Sequence, residues 1–475
     1  MTLKQPSLDY EPLRRTPESV SDDAEFGFKR RGKAAPADDG WPAATLPQAA
    51  EKREEKSEIE PVKETWIHKH GHSVSYAGIF LFTTFVFFRP YEFSPSLLWL
   101  SSFAFWIALA TTLVYVLTQL GLENTITARP REVNLVLLLT ATALLSIPLA
   151  LEPARAWEGF VEYLKVVLIF IVMINVIRTE KRLKWLWILV LIATCILSLN
   201  AVNDYRLGRL ELQGVRIKGS IGGLFDNPND LALHLATMFP IALALSFGSR
   251  YLLTKLLYLA TALLIVAGIV VTFSRGGFLA LLAASAVLLW KLIRSSRWMI
   301  PPVAAAIVVL FMLFAPGGYK TRLATTGDES STARFDDFKK SLYVAVRHPL
   351  LGVGMDNYIL FSNANKASHN AYTQVASEMG AAAALFYVLF IITPFRGLRR
   401  IEQQTYKVAP LRRFHYASIA LQVSLVGYMV ASFFASVAYL WYIYYLVAYA
   451  VCLRRIYDSA VESNAALNNP LSSTV

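Results

Sequence analysis

"VTFSRGGFLALLAA", residues 271–284, sets an arginine and two adjacent glycines inside an otherwise apolar run. A guanidinium carries its charge at any physiological pH, so a helix pair built around it must place that charge where water or a counter-ion can reach it. The surroundings show what kind of chain this is. Its 475 residues are 55% hydrophobic and 13% aromatic, and several runs approach the roughly 20 apolar residues that span a bilayer. The predicted fold is an all-α polytopic membrane protein. It has about twelve transmembrane helices, near residues 74–88, 96–120, 132–151, 157–177, 184–203, 230–248, 252–273, 277–293, 299–315, 370–394, 415–434 and 436–453.

Orientation follows from the short connections. "ARPRE", "RTEKRLK", "SRYLLTK", "KLIRSSR" and "RGLRRIEQQTYKVAPLRR" are basic, as is the "RRIYD" after the last span, and all fall on one side of a twelve-span count. The positive-inside rule makes that side cytoplasmic, with both termini there. The formal net charge of +12 is thereby read as membrane orientation, not as a nucleic-acid surface. The outer side receives "RPYEFSP", "EPARA", the stretch 204–229, the "SRGG" turn and a long loop, about 316–369, between spans nine and ten. Arg275 is then expected at the outer end of a span, with Gly276 and Gly277 permitting a tight reversal between two helices.

Three further segments are read by composition. Residues 1–66 are rich in Pro, Glu, Lys, Asp and Ser and are expected to form a disordered cytoplasmic tail. They lack the apolar core of a signal peptide. Residues 67–455 form the membrane domain, and 456–475 a second cytoplasmic tail. Cys195 and Cys452 both lie in apolar runs, which fits neither a disulfide framework nor a thiolate metal site.

Chemistry gathers on the outer side. "LQGVRIKGSIGGLFDNPNDLALHL", residues 212–235, holds Arg216, Lys218 and a glycine cluster. In it Asp226 or Asn229 is a candidate helix cap, Pro228 fits the first turn, and Asp230 suits the positive helix end. Arg275 either snorkels to headgroup phosphates or faces the bundle, where its planar fork would clamp a phosphate or diphosphate. "STARFDDFKKSLYVAVRHPLLGVGMDNYILFSNANKASHNAYTQVASEMG", residues 331–380, places Arg334 on an amphipathic helix and His369 at a helix start. A neutral imidazole there either takes a proton from a hydroxyl or serves as a cap. His234 lies mid-span and is expected to bond a neighbouring helix, while His348 precedes a proline and shapes a turn. Glu158, Glu162 and Lys165 share a helix face near the outer end, as an ion pair or part of a polar cavity. No spacing suits a metal, and the expectation is a reaction without metal or cofactor.

Four motifs in this order, an Arg before "FDNPNDLA", the "SRGG" turn, "R-F" followed by "HPLLGVGMDNY", and "SHNAYTQVASEMG" opening a late span, resemble the O-antigen ligase and polymerase superfamily of bacterial envelopes. The resemblance covers about residues 210–395. It implies a C-type glycosyltransferase of the inner membrane with its site on the periplasmic face. Such an enzyme moves a glycan from undecaprenyl diphosphate to a hydroxyl of lipid A-core or another glycan. Carried over by motif, Arg216 and Arg275 would bind the diphosphate, with Lys218 competing for the first of these roles. Arg334 would assist or order the loop, and His369 would activate or orient the acceptor. Ligation leads polymerisation from the same donor, and a transporter or flippase of lipid-linked glycan is the alternative of a different class. The tail of some 66 residues departs from the family pattern.

Overall fold

The computed structural model describes residues 66–92, 95–209, 217, 219, 223–292, 329–362 and 367–468. The chain divides into Met1–Lys69 and His70–Val475. Of the first unit only the helix start at Trp66 is described; the helical bundle belongs to the second.

Twelve α-helices lie among the described residues: α1 (Trp66–Phe88), α2 (Phe103–Glu123), α3 (Arg131–Ser146), α4 (Pro153–Val176), α5 (Glu180–Arg206), α6 (Pro228–Gly248), α7 (Leu252–Val271), α8 (Arg275–Leu292), α9 (Glu329–Arg347), α10 (Ala371–Gln404), α11 (Arg412–Ala431) and α12 (Trp441–Asn468). No strand occurs among them. Ten helices are long and apolar enough to cross a membrane, which makes this an all-α polytopic membrane protein. They correspond to expected spans one to eight, ten and eleven. The ninth, at 299–315, lies outside the described residues. The twelfth is α12, which is not among the ten. Its Tyr442, Tyr444, Tyr445 and Tyr449 make it less apolar, yet all four are buried in the bundle.

The bundle closes around α6, which packs on α7, α8 and α11, while α10 packs on α3, α9 and α11. Small residues set the closest approaches, as they must where apolar surface alone cannot drive helices together in lipid. A Cβ added at Gly277 of α8 would stand 2.3 Å from the Cβ of Ala232 on α6, and one at Gly268 of α7 would meet Ser198 Oγ of α5 at 2.9 Å. At the other end of α8, buried charges are paired. Arg454 of α12 donates to both carboxylate oxygens of Glu132 on α3, at 2.8 and 3.0 Å. Lys291 of α8 reaches Glu402 of α10 at 2.5 Å and Gln422 of α11 at 3.0 Å. Polar contacts thereby join α3 to α12, and α8 to α10 and α11, where the basic connections begin.

The feature that positions the site is a break in α10. Gly380 adopts φ 88 and ψ 178 inside the helix, a conformation open to glycine and strained for any other residue. Breaking the helix strands backbone groups that need partners. The loop before it supplies them: Val353 and Gly354 N–H donate to the carbonyls of Ser377 and Glu378 at 2.9 Å each, and Ala381 N–H donates to Pro349 O at 2.8 Å. The "HPLLGVG" turn is therefore docked into the break. The fit demands glycine on both sides, since a Cβ at Gly380 would meet Leu350 O at 2.3 Å and one at Gly352 would meet the Glu378 carbonyl carbon at 2.3 Å.

Candidate functional site

Ser274 begins the site. Its buried hydroxyl accepts from Gly277 N–H at 3.2 Å, capping α8, and donates to Asn229 Oδ1 at 2.8 Å. Asn229 belongs to the first turn of α6, whose cap is Asn227, the acceptor for Asn229 N–H at 2.9 Å. One hydrogen bond thus ties together the N-termini of α6 and α8, where unsatisfied N–H groups and the helix dipoles concentrate positive potential. Arg275, half-buried, is the first residue of α8. Two expectations change here. The cap of α6 is neither Asp226 nor Asn229, because Asn229 is used between helices. Gly276 and Gly277 do not make the reversal, which falls on Phe273 with φ 52. The glycines form the first turn of α8 and are small because Phe434 and Ala232 press against them: a Cβ at Gly276 would lie 2.7 Å from Phe434 Cβ.

Phe434 leads to the rest of the site. It ends a short 3-10 turn, Ser432–Phe434, after α11. Its neighbour Phe433 lies 5.8 Å, centroid to centroid, from Phe338 of α9, one helical turn beyond the half-buried Arg334. The carbonyl of Phe433 accepts from Asn370 Nδ2 at 3.2 Å. Asn370 caps α10 through Tyr372 and Thr373 N–H at 2.9 and 3.0 Å. His369 stands immediately before that cap, half-buried, with φ 52. Its left-handed backbone is held on one side by Asn370 and on the other by buried Ser368, which bonds Asn370 O at 3.0 Å and Ser436 Oγ at 3.3 Å. Strain of this kind persists only where the surroundings impose it. Segments carrying Arg275, Arg334 and His369 thus converge on Ser432–Phe434, a stretch in which sequence reasoning found no signal. Arg216 and Lys218 lie outside the described residues. Between and after them, Ile217 is buried and Gly219 N–H donates to Phe225 O at 2.8 Å.

α9 is fastened over α10 and the loop by two hydrogen bonds: Ser341 Oγ donates to Thr373 Oγ1 at 2.8 Å, and Tyr358 OH to Asp337 O at 2.9 Å. The docked loop also reaches the α3–α4 connection, where Asn357 Oδ1 accepts from Glu152 N–H at 2.7 Å. Between loop, α4 and α10 lie two cavities of about 230 and 190 Å³, both lined by Asp356 and Gln374. Glu162 lines the first and also pairs with Lys165 at 2.5 Å, so the polar face of α4 is both an ion pair and a cavity wall. His234 bonds Thr194 Oγ1 of α5 at 3.0 Å, as its mid-span position suggested. Larger cavities exist at the opposite end of α10. One of about 1210 Å³ is lined by Arg131, Arg396, Arg399 and Arg400, among the basic connections and away from the "SRGG" and "SHNAY" motifs.

A bundle of long apolar helices that collects guanidinium, imidazole and two helix N-termini at one end defines a polytopic membrane protein with a polar site at the end of its spans. Residues 260–388 match the family model described as O-antigen ligase, which supports the resemblance to the O-antigen ligase and polymerase superfamily drawn from the motifs. Arg275, Arg334, Asp356, His369 and Gln374 all fall within the matched residues. No curated protein gives a significant match. Among solved structures, the chain is similar to one from a peptidoglycan synthase complex in which polymerization and crosslinking are coordinated. The likeness is 16% identity over 68% of this chain and 97% of that chain, with a TM-score of 0.38. The family is one of glycosyltransferase-type enzymes.

Proposed function

We propose that this protein transfers a glycan from undecaprenyl diphosphate to an acceptor hydroxyl, as a ligase, at the periplasmic end of the bundle in a bacterial inner membrane. Both termini are then cytoplasmic, which agrees with the basic connections at the far end of α8 and α10. The observation that carries this reading is the convergence of three segments from the family-matched residues, the α8 N-terminus, the Arg334 helix and the His369 loop, on Ser432–Phe434.

The chemistry follows from charge. As the acceptor oxygen bonds to the anomeric carbon, the bond from that carbon to the diphosphate oxygen breaks, and undecaprenyl diphosphate departs with the electron pair. Negative charge grows on the leaving group, and Arg275, at a helix N-terminus, is placed to meet it with a bidentate fork added to the positive end of the helix dipole. Arg334 adds a second cation, and Arg216 and Lys218 remain candidates for a third. These fixed positive groups supply the role that a divalent ion takes elsewhere, and the reaction is metal-independent in this reading. His369 accepts the proton of the acceptor hydroxyl, and attack opposite the leaving group inverts the anomeric centre.

The test uses purified protein with lipid-linked donor and acceptor. His369→Ala and Arg275→Ala should each lose transfer by about a hundredfold or more, with protein level unchanged. Near-normal turnover of His369→Ala removes the histidine from the mechanism, and activity abolished by chelator and restored by a divalent ion overturns the metal-free reading. In cells, deletion of the gene separates the two family activities. Accumulated lipid-linked long chains mark a lost ligase, and accumulated single repeat units mark a lost polymerase.

A further inference from the structure

The two cavities lined by Asp356 and Gln374 differ in character from the arginine-bearing helix ends. Asp356 lines both and has φ 58. Its side chain lies against α4 so closely that a Cβ at Gly159 would stand 3.1 Å from Asp356 Oδ2. No hydrogen bond or ion pair holds its carboxylate among the described residues. Gln374 also lines both cavities and is 7% exposed, and its Oε1 is buried without a hydrogen-bond partner. Buried acceptors in native proteins are satisfied almost without exception, so an orphan acceptor at a cavity wall marks a place where a donor arrives. Deeper in, Glu378 accepts from Tyr439 OH at 2.8 Å. Tyr439 and Trp441 give the larger cavity aromatic walls. Arg155, a cation on the rim, is already paired with Glu152 at 3.0 Å.

We propose that Asp356 and Gln374 form a binding site for a neutral sugar ring, the acceptor's terminal saccharide. The ionised Asp356 carboxylate repels a diphosphate, so the donor's charged group belongs elsewhere. A pyranose fits the same surroundings: its hydroxyls donate to the carboxylate and to Gln374 Oε1, and its apolar face packs on Trp441 or Tyr439. Ser368, the residue before His369, lines the smaller cavity, so the bound ring lies next to the segment that carries the imidazole. Naming the ring as the acceptor's rests on the transfer reaction proposed above, whereas the sugar site itself does not.

The experiment measures binding without turnover. Full-length protein in lipid nanodiscs is titrated with free glucose, galactose, N-acetylglucosamine and a heptose, and read by saturation-transfer NMR and tryptophan fluorescence. At least one sugar should bind the wild type, and Gln374→Leu and Asp356→Asn should each weaken it by about tenfold, the loss of one hydrogen bond to a charged or buried group. Asparagine tolerates the left-handed backbone at 356, so Asp356→Asn keeps the fold, and an unchanged Tm verifies it. Arg275→Ala should bind the sugar as the wild type does. No binding by any of the four sugars, or equal binding in both variants, overturns the proposal. Intact sugar binding together with full transfer by Arg275→Ala would sink the diphosphate reading and leave the sugar site standing.

Discussion

Arg275 illustrates how one residue's role depends on shape as well as charge. A lysine in its place keeps the charge but loses the planar fork that meets two phosphoryl oxygens at once. Arg275→Lys is therefore expected to fall close to Arg275→Ala in kcat/KM for donor, and full activity would argue against bidentate recognition. Asp356 makes a different prediction. Burial raises its carboxyl above the ordinary aspartate value, with Arg155 partly opposing. Glu378 and Glu162 face the same space, and Tyr358, pushed up to about 12, stays protonated throughout. Only the ionised Asp356 accepts from two hydroxyls, so sugar affinity should be full at neutral pH and fall on acidification. The midpoint should lie above the ordinary aspartate value of about 3.9. Asp356→Asn should flatten that profile. At this scale sequence reading named Arg275 and missed Asp356 and Gln374, because an aspartate in a turn and a glutamine inside a helix carry no signal until a cavity appears beside them.

At the scale of elements, helices were legible and their joints were not. The cap of α6 was expected within a residue or two of Asn227, but Asn229 is claimed by Ser274, a contact between residues 45 apart. Gly276 and Gly277 read as a turn by local rules, whereas their smallness answers to Ala232 and Phe434 across a helix interface. The break at Gly380 is the sharpest case, since its hydrogen-bond partners lie in the preceding loop. Gly380→Ala should destabilise the docked loop by at least about 1 kcal/mol through left-handed strain alone, before the clash with Leu350 O. Faster amide exchange across residues 349–358, with helix content preserved, is the expected observation. Protection equal to wild type would mean the loop does not depend on the break.

Over the whole molecule, one end of the bundle is fastened by buried ion pairs and the other is shaped as a site. Glu132 is fully buried against Arg454, whose side chain is 21% exposed. Removing one partner leaves a charge with nothing to compensate it, a loss of about 3–5 kcal/mol. Glu132→Ala should accordingly lower Tm in detergent far more than Glu162→Ala, whose 73% exposed carboxylate is screened. Equal shifts would show that the pair between α3 and α12 is no better than a surface contact.

The sequence by itself determined that the chain is a bundle of membrane-spanning helices, where its basic connections lie, and which motifs of the resemblance lie along 210–395. Those properties are local: apolar run length and charge at helix ends are read residue by residue. Tertiary structure alone decided that Ser432–Phe434 gathers the segments of Arg275, Arg334 and His369, that a loop is stapled into a broken helix, and that Asp356 and Gln374 face one space. Each depends on packing between residues far apart in the chain, where shape selects the partner, and no local pattern encodes a distance.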